Sequence, residues 1–178
     1  VEALHGGASY FAATKGVSRD DWRVYAESLR LGTRYPGING IGVIYPVPAE
    51  ETDSWLARMR ADGAPDLTIR PFPATTGPAD DVKYVITYCE PLERNRVSVG
   101  RNIATEPSRR VAAEVARDTG EPHMNRRIPG SRDAQRRSGF LLYVPLYRKG
   151  APIATVAERR AAHLGWVYAQ FFADNFLE

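Results

Sequence analysis

Residues 34–47, RYPGINGIGVIYPV, place turn-forming residues directly against an apolar run that is typical of a strand. Proline fixes its own φ and lacks an N–H donor, and glycine tolerates tight turns, so Pro36 and Gly37 predict the end of a preceding helix. Gly40 and Gly42 predict that the following strand passes close under a helix. The stretch therefore divides a helical N-terminal part from a remainder that contains strands.

The part before this stretch carries two helix patterns. Apolar residues recur at helical spacing over residues 1–13, which predicts an amphipathic helix. Ser18 is a favourable N-cap and Asp21 follows three residues later, so a second helix with a capping box is predicted to begin there. The tryptophans lie on periodic apolar faces and are predicted to be core residues: Trp22, Trp55 and Trp166.

Strand and helix patterns mix in the rest of the chain. Runs rich in β-branched and aromatic residues predict strands at GIGVIYPV, LTIRPF, VKYVITYCEP, GFLLYVPLYRKG and from Leu164 onward. Helices are predicted at PAEETDSWLARMRADG, TEPSRRVAAEVARDTG and in the tail from Ala173. Because the strand spacing near the end suits β-hairpins, we expect an α+β fold with an antiparallel sheet.

The segment TEPSRRVAAEVARDTG carries the clearest helix signals. Thr105 is predicted to be its N-cap, Pro107 falls in its first turn, and Gly120 is predicted to end it. Its predicted core-facing stripe consists of Val111, Ala112, Val115 and Ala116.

Charge and cysteine usage exclude several classes of function. The 24 basic and 21 acidic residues are interspersed and give a net charge of +3. A nucleic-acid surface would gather basic residues on one element, and the dense basic run is confined to residues 125–137, so no nucleic-acid partner is predicted. Cys89 stands alone and the three histidines are isolated, which predicts no disulfide, no metal site and no cofactor.

Neither a membrane span nor a catalytic motif stands out in the sequence. No apolar run approaches the roughly 20 residues that a span needs, and both ends fall inside helical patterns, so we expect a piece of a longer protein. Phosphate-binding loops, nucleophile elbows and zinc-protease motifs are absent from the sequence. A small cytosolic hydrolase that uses His123 or Cys89 stays an alternative, and it requires a polar partner beside either residue.

The order of five motifs is more specific than any one of them: YPGINGIGVIYPV, YVITYCEPLERN, VGRNIATEPSRRVAAEVARDTG, GFLLYVPLY and GWVYAQFF. In this order the chain resembles the CHASE domain, the extracytoplasmic sensory module of membrane histidine kinases, diguanylate cyclases and adenylate cyclases, including plant cytokinin receptors. The resemblance extends from about Arg34 to Leu177.

The resemblance implies an N-terminal helical stalk followed by two PAS-like subdomains with antiparallel sheets. Residues 1–33 would be the truncated stalk helices, 34–147 the membrane-distal ligand-binding subdomain, and 148–178 the membrane-proximal PAS-like part with a C-terminal exit helix. It also implies a homodimer through the stalk and transmembrane helices outside this chain. The domain itself would not be an enzyme.

The resemblance also suggests where a ligand would bind. In the cytokinin-binding branch, an acidic residue before the central helix hydrogen-bonds the adenine ring, and Asn102 occupies that position here. An amide can pair with the N6/N7 edge of adenine through one donor and one acceptor. Arg101 would favour a carboxylate or phosphate if it faces the pocket, and would be solvated if strand alternation turns it outward.

Other pocket residues follow from the same resemblance. Backbone contacts are expected near Met124 and Asn125, and Tyr143 would line a pocket that is smaller than that of the plant receptors. The strand that holds Tyr84, Ile86 and Tyr88 would form another wall, because side chains two residues apart share a face. Simple core packing is the alternative for each.

We therefore expect a periplasmic or extracellular small-molecule sensor domain of a bacterial transmembrane receptor, of the histidine kinase or diguanylate cyclase type. The expected ligand is a purine or cytokinin-like molecule or a small carboxylate. A protein-protein or dimerisation module without a ligand is the alternative, and it predicts a pocket collapsed around Tyr143 and Met124.

Overall fold

A seven-stranded sheet organises the part of the chain that the computed structural model describes, residues 1–72, 81–125 and 139–172. In chain order its strands are β1 (Ile38–Pro48), β2 (Arg70–Pro71), β3 (Val82–Glu90), β4 (Arg101–Asn102), β5 (His123–Met124), β6 (Gly139–Tyr147) and β7 (His163–Phe172). Their order across the sheet is β2-β4-β3-β1-β7-β6-β5. The short β2 and β4 pair in parallel, and every other pair is antiparallel.

Seven α-helices and two 3-10 turns accompany these strands within the described residues. The helices are α1 (Glu2–Ala13), α2 (Arg19–Ser28), α3 (Leu31–Arg34), α4 (Thr52–Ala61), α5 (Leu92–Asn95), α6 (Pro107–Thr119) and α7 (Val156–Ala162), and the 3-10 turns are Ala49–Glu51 and Ile103–Thr105. The predicted α+β class is confirmed, and the sheet is mixed, with antiparallel pairing everywhere except between β2 and β4. The predicted tail helix from Ala173 lies outside the described residues, as does most of the basic run at 125–137.

The two PAS-like subdomains expected on either side of residue 147 are not confirmed. One sheet contains strands from both of the expected parts. The strand from the second part, β7, lies between β1 and β6 in the middle of that sheet, where it pairs with both.

The two faces of the sheet are covered by different helices. On one face α1 and α2 bury Leu4 and Trp22 completely against side chains of β1, β6 and β7. Residues 1–33, expected to form a stalk, thus contribute to the core of the domain. On the opposite face α6 and the turn Ile103–Thr105 cover a second cluster, which contains Trp166.

A β-bulge in β3 changes which side chains point to each face. Val43 of β1 pairs with Tyr88 and the next residue, Ile44, pairs with Ile86, so Thr87 is an extra residue in β3. A bulge leaves one residue unpaired and shifts the alternation that follows it. Beyond Thr87 the side chains of β3 therefore point to the faces opposite to those that simple alternation predicts.

Two glycines in the stretch 34–47 permit close approaches, as the sequence predicted, but only one approach involves a helix. A Cβ on Gly40 would come within 2.7 Å of the amide nitrogen of Asn95 in α5. A Cβ on Gly42 would lie 2.0 Å from the carbonyl oxygen of Tyr88 and 2.6 Å from the ring of Tyr168. At Gly42 the neighbours are thus two strands of the sheet and not a helix.

The start of α6 differs from the prediction. Its N-cap is Glu106, whose carboxylate accepts hydrogen bonds from the backbone N–H groups of Ser108 and Arg109. Thr105 belongs to the preceding 3-10 turn, where its hydroxyl donates to the carbonyl oxygen of Asn102. A carboxylate suits this position because it also interacts favourably with the positive end of the helix dipole.

The buried face of α6 is also rotated from the predicted stripe. Its buried residues are Arg109, Ala112, Ala113 and Ala116. Val111, predicted to face the core, is 57% exposed. The methyl groups of the alanines leave room for the large side chains of the sheet, and the indole nitrogen of Trp166 donates to the carbonyl oxygen of Ala113 at 2.8 Å.

Candidate functional site

The layer between α6 and the sheet contains polar groups that the fold leaves without hydrogen bonds. The hydroxyls of Tyr143 and Tyr168 and the Nε atom of Arg109 are buried and have no hydrogen-bond partner among the described residues. Tyr143 and Tyr168 are 0% and 1% exposed, and Arg109 is 8% exposed. We call these three residues the Arg109 cluster.

The members of the Arg109 cluster lie within electrostatic range of one another. Burial raises the pKa of the Tyr143 hydroxyl, and the positive charge of Arg109 opposes that rise. Burial likewise raises the pKa of Tyr168, and both Arg109 and Tyr143 act on it. Both tyrosines therefore stay protonated at neutral pH and can donate hydrogen bonds.

The guanidinium of Arg109 is held between an aromatic ring and a carboxylate. It lies 4.2 Å from the ring centre of Phe72, a cation–π distance. The nearest oxygen of Glu106 lies 4.0 Å from Nε, which is too far for a hydrogen bond. Among the described residues, Nε of Arg109 has no hydrogen-bond acceptor.

The thiol of Cys89 faces the hydroxyl of Tyr168 in the same layer and is a weak hydrogen-bond partner for it, so the hydroxyl has sulfur beside it but no nitrogen or oxygen partner among the described residues. Burial raises the pKa of its thiol to about 12, so the thiolate that a nucleophile needs is not formed at neutral pH. His123 is exposed on the two-residue strand β5. The geometry therefore gives no support to a hydrolase that uses either residue.

Asn102 is buried at the junction of β4 with β3, but its side-chain oxygen is already engaged. That oxygen accepts hydrogen bonds from the backbone N–H groups of Tyr84, at 2.9 Å, and Ala104, at 3.1 Å. Because an amide oxygen has two lone pairs, both are used within the fold. The adenine-pairing role predicted for Asn102 needs this acceptor, so only the amide N–H groups are left for a ligand.

Arg101 makes its hydrogen bond at the surface. Its Nη1 donates to the carbonyl oxygen of Pro71 at 2.8 Å, an exposed contact between β4 and β2. Of the two alternatives for Arg101, this contact supports the side chain that turns outward.

The two residues expected to supply backbone contacts lie at the edge strand β5 and immediately after it. Met124 pairs with Leu142, whose side chain belongs to the core under α1, and Met124 itself is 43% exposed. Its side chain is therefore on the face opposite to the Arg109 cluster. Asn125 is buried, and its side-chain oxygen accepts a hydrogen bond from the backbone N–H of Leu141.

Of the three residues predicted to form a pocket wall, two lie on the same face of the sheet. Tyr84 and Ile86 belong to the cluster under α6, whereas Tyr88 belongs to the core under α1 and α2. The bulge at Thr87 moves Tyr88 to that face. Its hydroxyl donates there to the carbonyl oxygen of Val17 and to the carboxylate of Asp62, at 2.9 and 3.0 Å.

Tyr143 is the one predicted residue with an unpartnered group in the Arg109 cluster. Arg109 and Tyr168 were missed by the sequence reasoning. The signal for Arg109 was present in its spacing, because positions 109, 112, 113 and 116 recur as i, i+3, i+4 and i+7 on one helix face. That spacing places an arginine on a face whose other members are alanines.

A surface groove of about 520 Å³ lies elsewhere, between the end of α2 and α5. It is lined by Arg23, Ala26, Glu27, Arg30, Leu31, Gly32, Thr33, Glu90, Pro91, Leu92 and Glu93. Within it, Arg23 pairs with Glu27 at 2.7 Å. None of its lining residues carries a buried unpartnered polar atom, so the Arg109 cluster is the better candidate site.

Among the described residues no group of His, Cys, Asp and Glu side chains could hold a metal ion, and no helix is both long and apolar enough to cross a membrane. No curated protein matches the chain.

The sequence profile of the CHASE domain matches residues 15–178, essentially the whole chain. The chain therefore belongs to the CHASE domain family, whose members are the extracytoplasmic, non-catalytic sensory parts of membrane receptors.

Proposed function

We propose that this chain senses a small molecule that binds between α6 and the sheet, as the periplasmic or extracellular domain of a bacterial histidine kinase or diguanylate cyclase. The observation that carries the proposal is the Arg109 cluster. A buried polar group without a partner costs about 1–3 kcal/mol, and native proteins retain few of them. A ligand that supplies the missing partners explains why three such groups occur together.

The sheet offers a route from this site to the N-terminal helices. The indole N–H of Trp166 in β7 donates a hydrogen bond to the carbonyl oxygen of Ala113 in α6. The next residue, Val167, packs in the core under α1 and α2. A ligand that binds one arrangement of α6 more tightly would shift the population of that arrangement. We propose that residues 1–33 transmit this shift through a homodimer contact to transmembrane helices outside this chain.

A thermal-shift screen of this chain tests the proposal. The panel should contain purines, cytokinins, amino acids and small carboxylates. A ligand at 100 times its dissociation constant is expected to stabilise the domain by about 2.7 kcal/mol. The absence of any shift at millimolar concentrations would count against a small-molecule sensor.

A module that binds only another protein is the competing function. It predicts a pocket collapsed around Tyr143 and Met124, whereas these side chains point to opposite faces of the sheet. This arrangement does not favour that alternative. The unpartnered hydroxyl of Tyr143 and Nε of Arg109 also favour the small-molecule proposal.

A further inference from the structure

We infer that the ligand is a small organic carboxylate with an apolar body, and that Arg109 and the hydroxyls of Tyr143 and Tyr168 hold its carboxylate. This inference rests on the proposed function, which makes the layer under α6 the ligand site. Four observations about this site lead to the ligand class.

The unpartnered groups of the cluster are hydrogen-bond donors or can act as donors. A guanidinium has five N–H donors and no acceptor. Tyr143 and Tyr168 keep their hydroxyl protons because burial raises the pKa of both. The complementary ligand group has several acceptor lone pairs and no need to donate, as a carboxylate does.

The positive charge of Arg109 also favours a ligand with an anionic group. Glu106 faces it at 4.0 Å, but the two oxygens of Glu106 already accept the backbone N–H groups of Ser108 and Arg109. Glu106 thus offsets part of the charge without supplying a hydrogen bond to the guanidinium. Arg109 also lies in the first turn of α6, where the helix dipole adds positive potential.

The surroundings of the cluster are apolar and confined. Side chains of the same layer include Ile44, Ile86, Ile103, Ala112, Ala113 and Leu141. Phe72 covers the guanidinium on one side. A molecule with one charged end and a hydrocarbon or aromatic body fits this site better than a molecule with two charged ends. The second charged group would lose its hydration here without gaining a partner.

A neutral purine fits the same groups less well. Adenine presents a donor beside an acceptor on its N6/N7 edge, and the side-chain oxygen of Asn102 is already engaged by Tyr84 and Ala104. The sequence assigned carboxylate recognition to Arg101 as one alternative. Because Arg101 donates to Pro71 at the surface, the buried Arg109 is the better residue for that role.

Paired probes separate the charge from the shape of the ligand. Butyrate, benzoate and phenylacetate should be titrated into this chain at pH 7 by calorimetry and thermal shift, alongside butyramide, benzamide, phenylacetamide and adenine. We expect binding of at least one carboxylate and at least about 10-fold weaker binding of its amide, since a hydrogen bond to a charged group contributes about 10- to 100-fold in affinity.

Matched variants assign the binding to the cluster. Arg109→Gln should weaken carboxylate binding by about 10- to 100-fold, whereas Arg110→Gln, on the outward side of the same helix turn, should leave it within about 2-fold. If Arg109→Gln does not fold, Tyr143→Phe and Tyr168→Phe give an independent test, with an expected loss of about 5-fold each. Unchanged affinity in both tyrosine variants would overturn the inference.

The outcomes distinguish the two proposals. Binding of a carboxylate that at least one of the tyrosine variants weakens, and that Arg109→Gln also weakens where that variant folds, supports the inference. If adenine or an amide binds as tightly as the carboxylates and the tyrosine variants weaken it, the carboxylate inference is wrong and the small-molecule sensor stands. If no probe from this set or from the wider screen binds at millimolar concentration, both proposals are overturned.

Discussion

The guanidinium of Arg19 donates a hydrogen bond to the carbonyl oxygen of Thr87 at 2.9 Å. Arg19 is the first residue of α2, and Thr87 is the extra residue of the bulge in β3. The guanidinium also lies 5.0 Å from the ring centre of Tyr88, whose side chain the bulge redirects. The contact thus connects α2 to the bulge, where the alternation of β3 side chains between the two faces of the sheet shifts by one residue.

Replacement of Arg19 by methionine should destabilise the domain. The change keeps an unbranched apolar stem but leaves the buried carbonyl group of Thr87 without this donor. Loss of Nε and Nη2 of Arg19, which are buried without partners among the described residues, offsets part of the cost, so we expect the free energy of unfolding to fall by about 1–2 kcal/mol. Urea denaturation followed by tryptophan fluorescence measures it. Arg23→Met is the matched control, because the ion pairs of Arg23 with Asp20 and Glu27 are exposed and should cost less than about 1 kcal/mol. Equal losses in the two variants would contradict a special role for Arg19.

Gly42→Ala should be among the most damaging single-methyl additions in the chain. The new Cβ would lie 2.0 Å from the carbonyl oxygen of Tyr88, a backbone atom that cannot rotate away. We expect a loss of about 3 kcal/mol or more, or failure to fold, because overpacking against backbone forces strands apart. Gly32→Ala, with no atom within 4 Å of the new Cβ, should be neutral or raise stability by up to about 1 kcal/mol. Circular dichroism melting curves of the two variants provide the comparison.

The sequence predicted those helix boundaries that depend on hydrogen bonds between residues close to one another in the chain. The capping box of Ser18 and Asp21 forms as expected, with both reciprocal hydrogen bonds present. Gly120 ends α6 in the left-handed conformation at φ 78°, which glycine adopts without strain. These features involve residues three or four positions apart, so the sequence contains all the information that they need.

Features that depend on distant residues were not predictable in the same way. The bulge at Thr87 is fixed by the register of β3 against β1, and without that register Tyr88 would share a face with Tyr84. Helical spacing places Arg109 on the alanine face of α6, but arginine is rarely buried, so spacing alone does not predict its burial. Its burial depends on Phe72 and on the strands that α6 covers, and none of these contacts is local in sequence.

Removal of the Tyr143 hydroxyl should stabilise the ligand-free domain. The hydroxyl is buried without a partner among the described residues, so Tyr143→Phe is expected to raise the free energy of unfolding by about 1 kcal/mol. Tyr84→Phe is the matched control on the same face, because the Tyr84 hydroxyl donates to the carboxylate of Glu114 at 3.0 Å and its loss should cost about 1–2 kcal/mol. Urea denaturation of both variants without ligand tests the difference in sign. A loss of stability in Tyr143→Phe would show that a partner satisfies this hydroxyl.

His163 should make the domain less stable in mild acid, because its side chain is protonated in the unfolded chain at a higher pH than in the folded domain. Burial lowers the pKa of its imidazole to about 3 in the folded state, against about 6.5 in the unfolded chain. Since the unfolded state binds the extra proton first, this contribution to stability is complete above pH 6.5 and is lost as pH falls towards 3. Its slope approaches about 1.4 kcal/mol per pH unit. In urea titrations between pH 7 and 5, His163→Gln should flatten the decline and His123→Gln, at an exposed position, should leave it unchanged. A decline as steep in His163→Gln as in the wild type would assign the acid sensitivity to other groups.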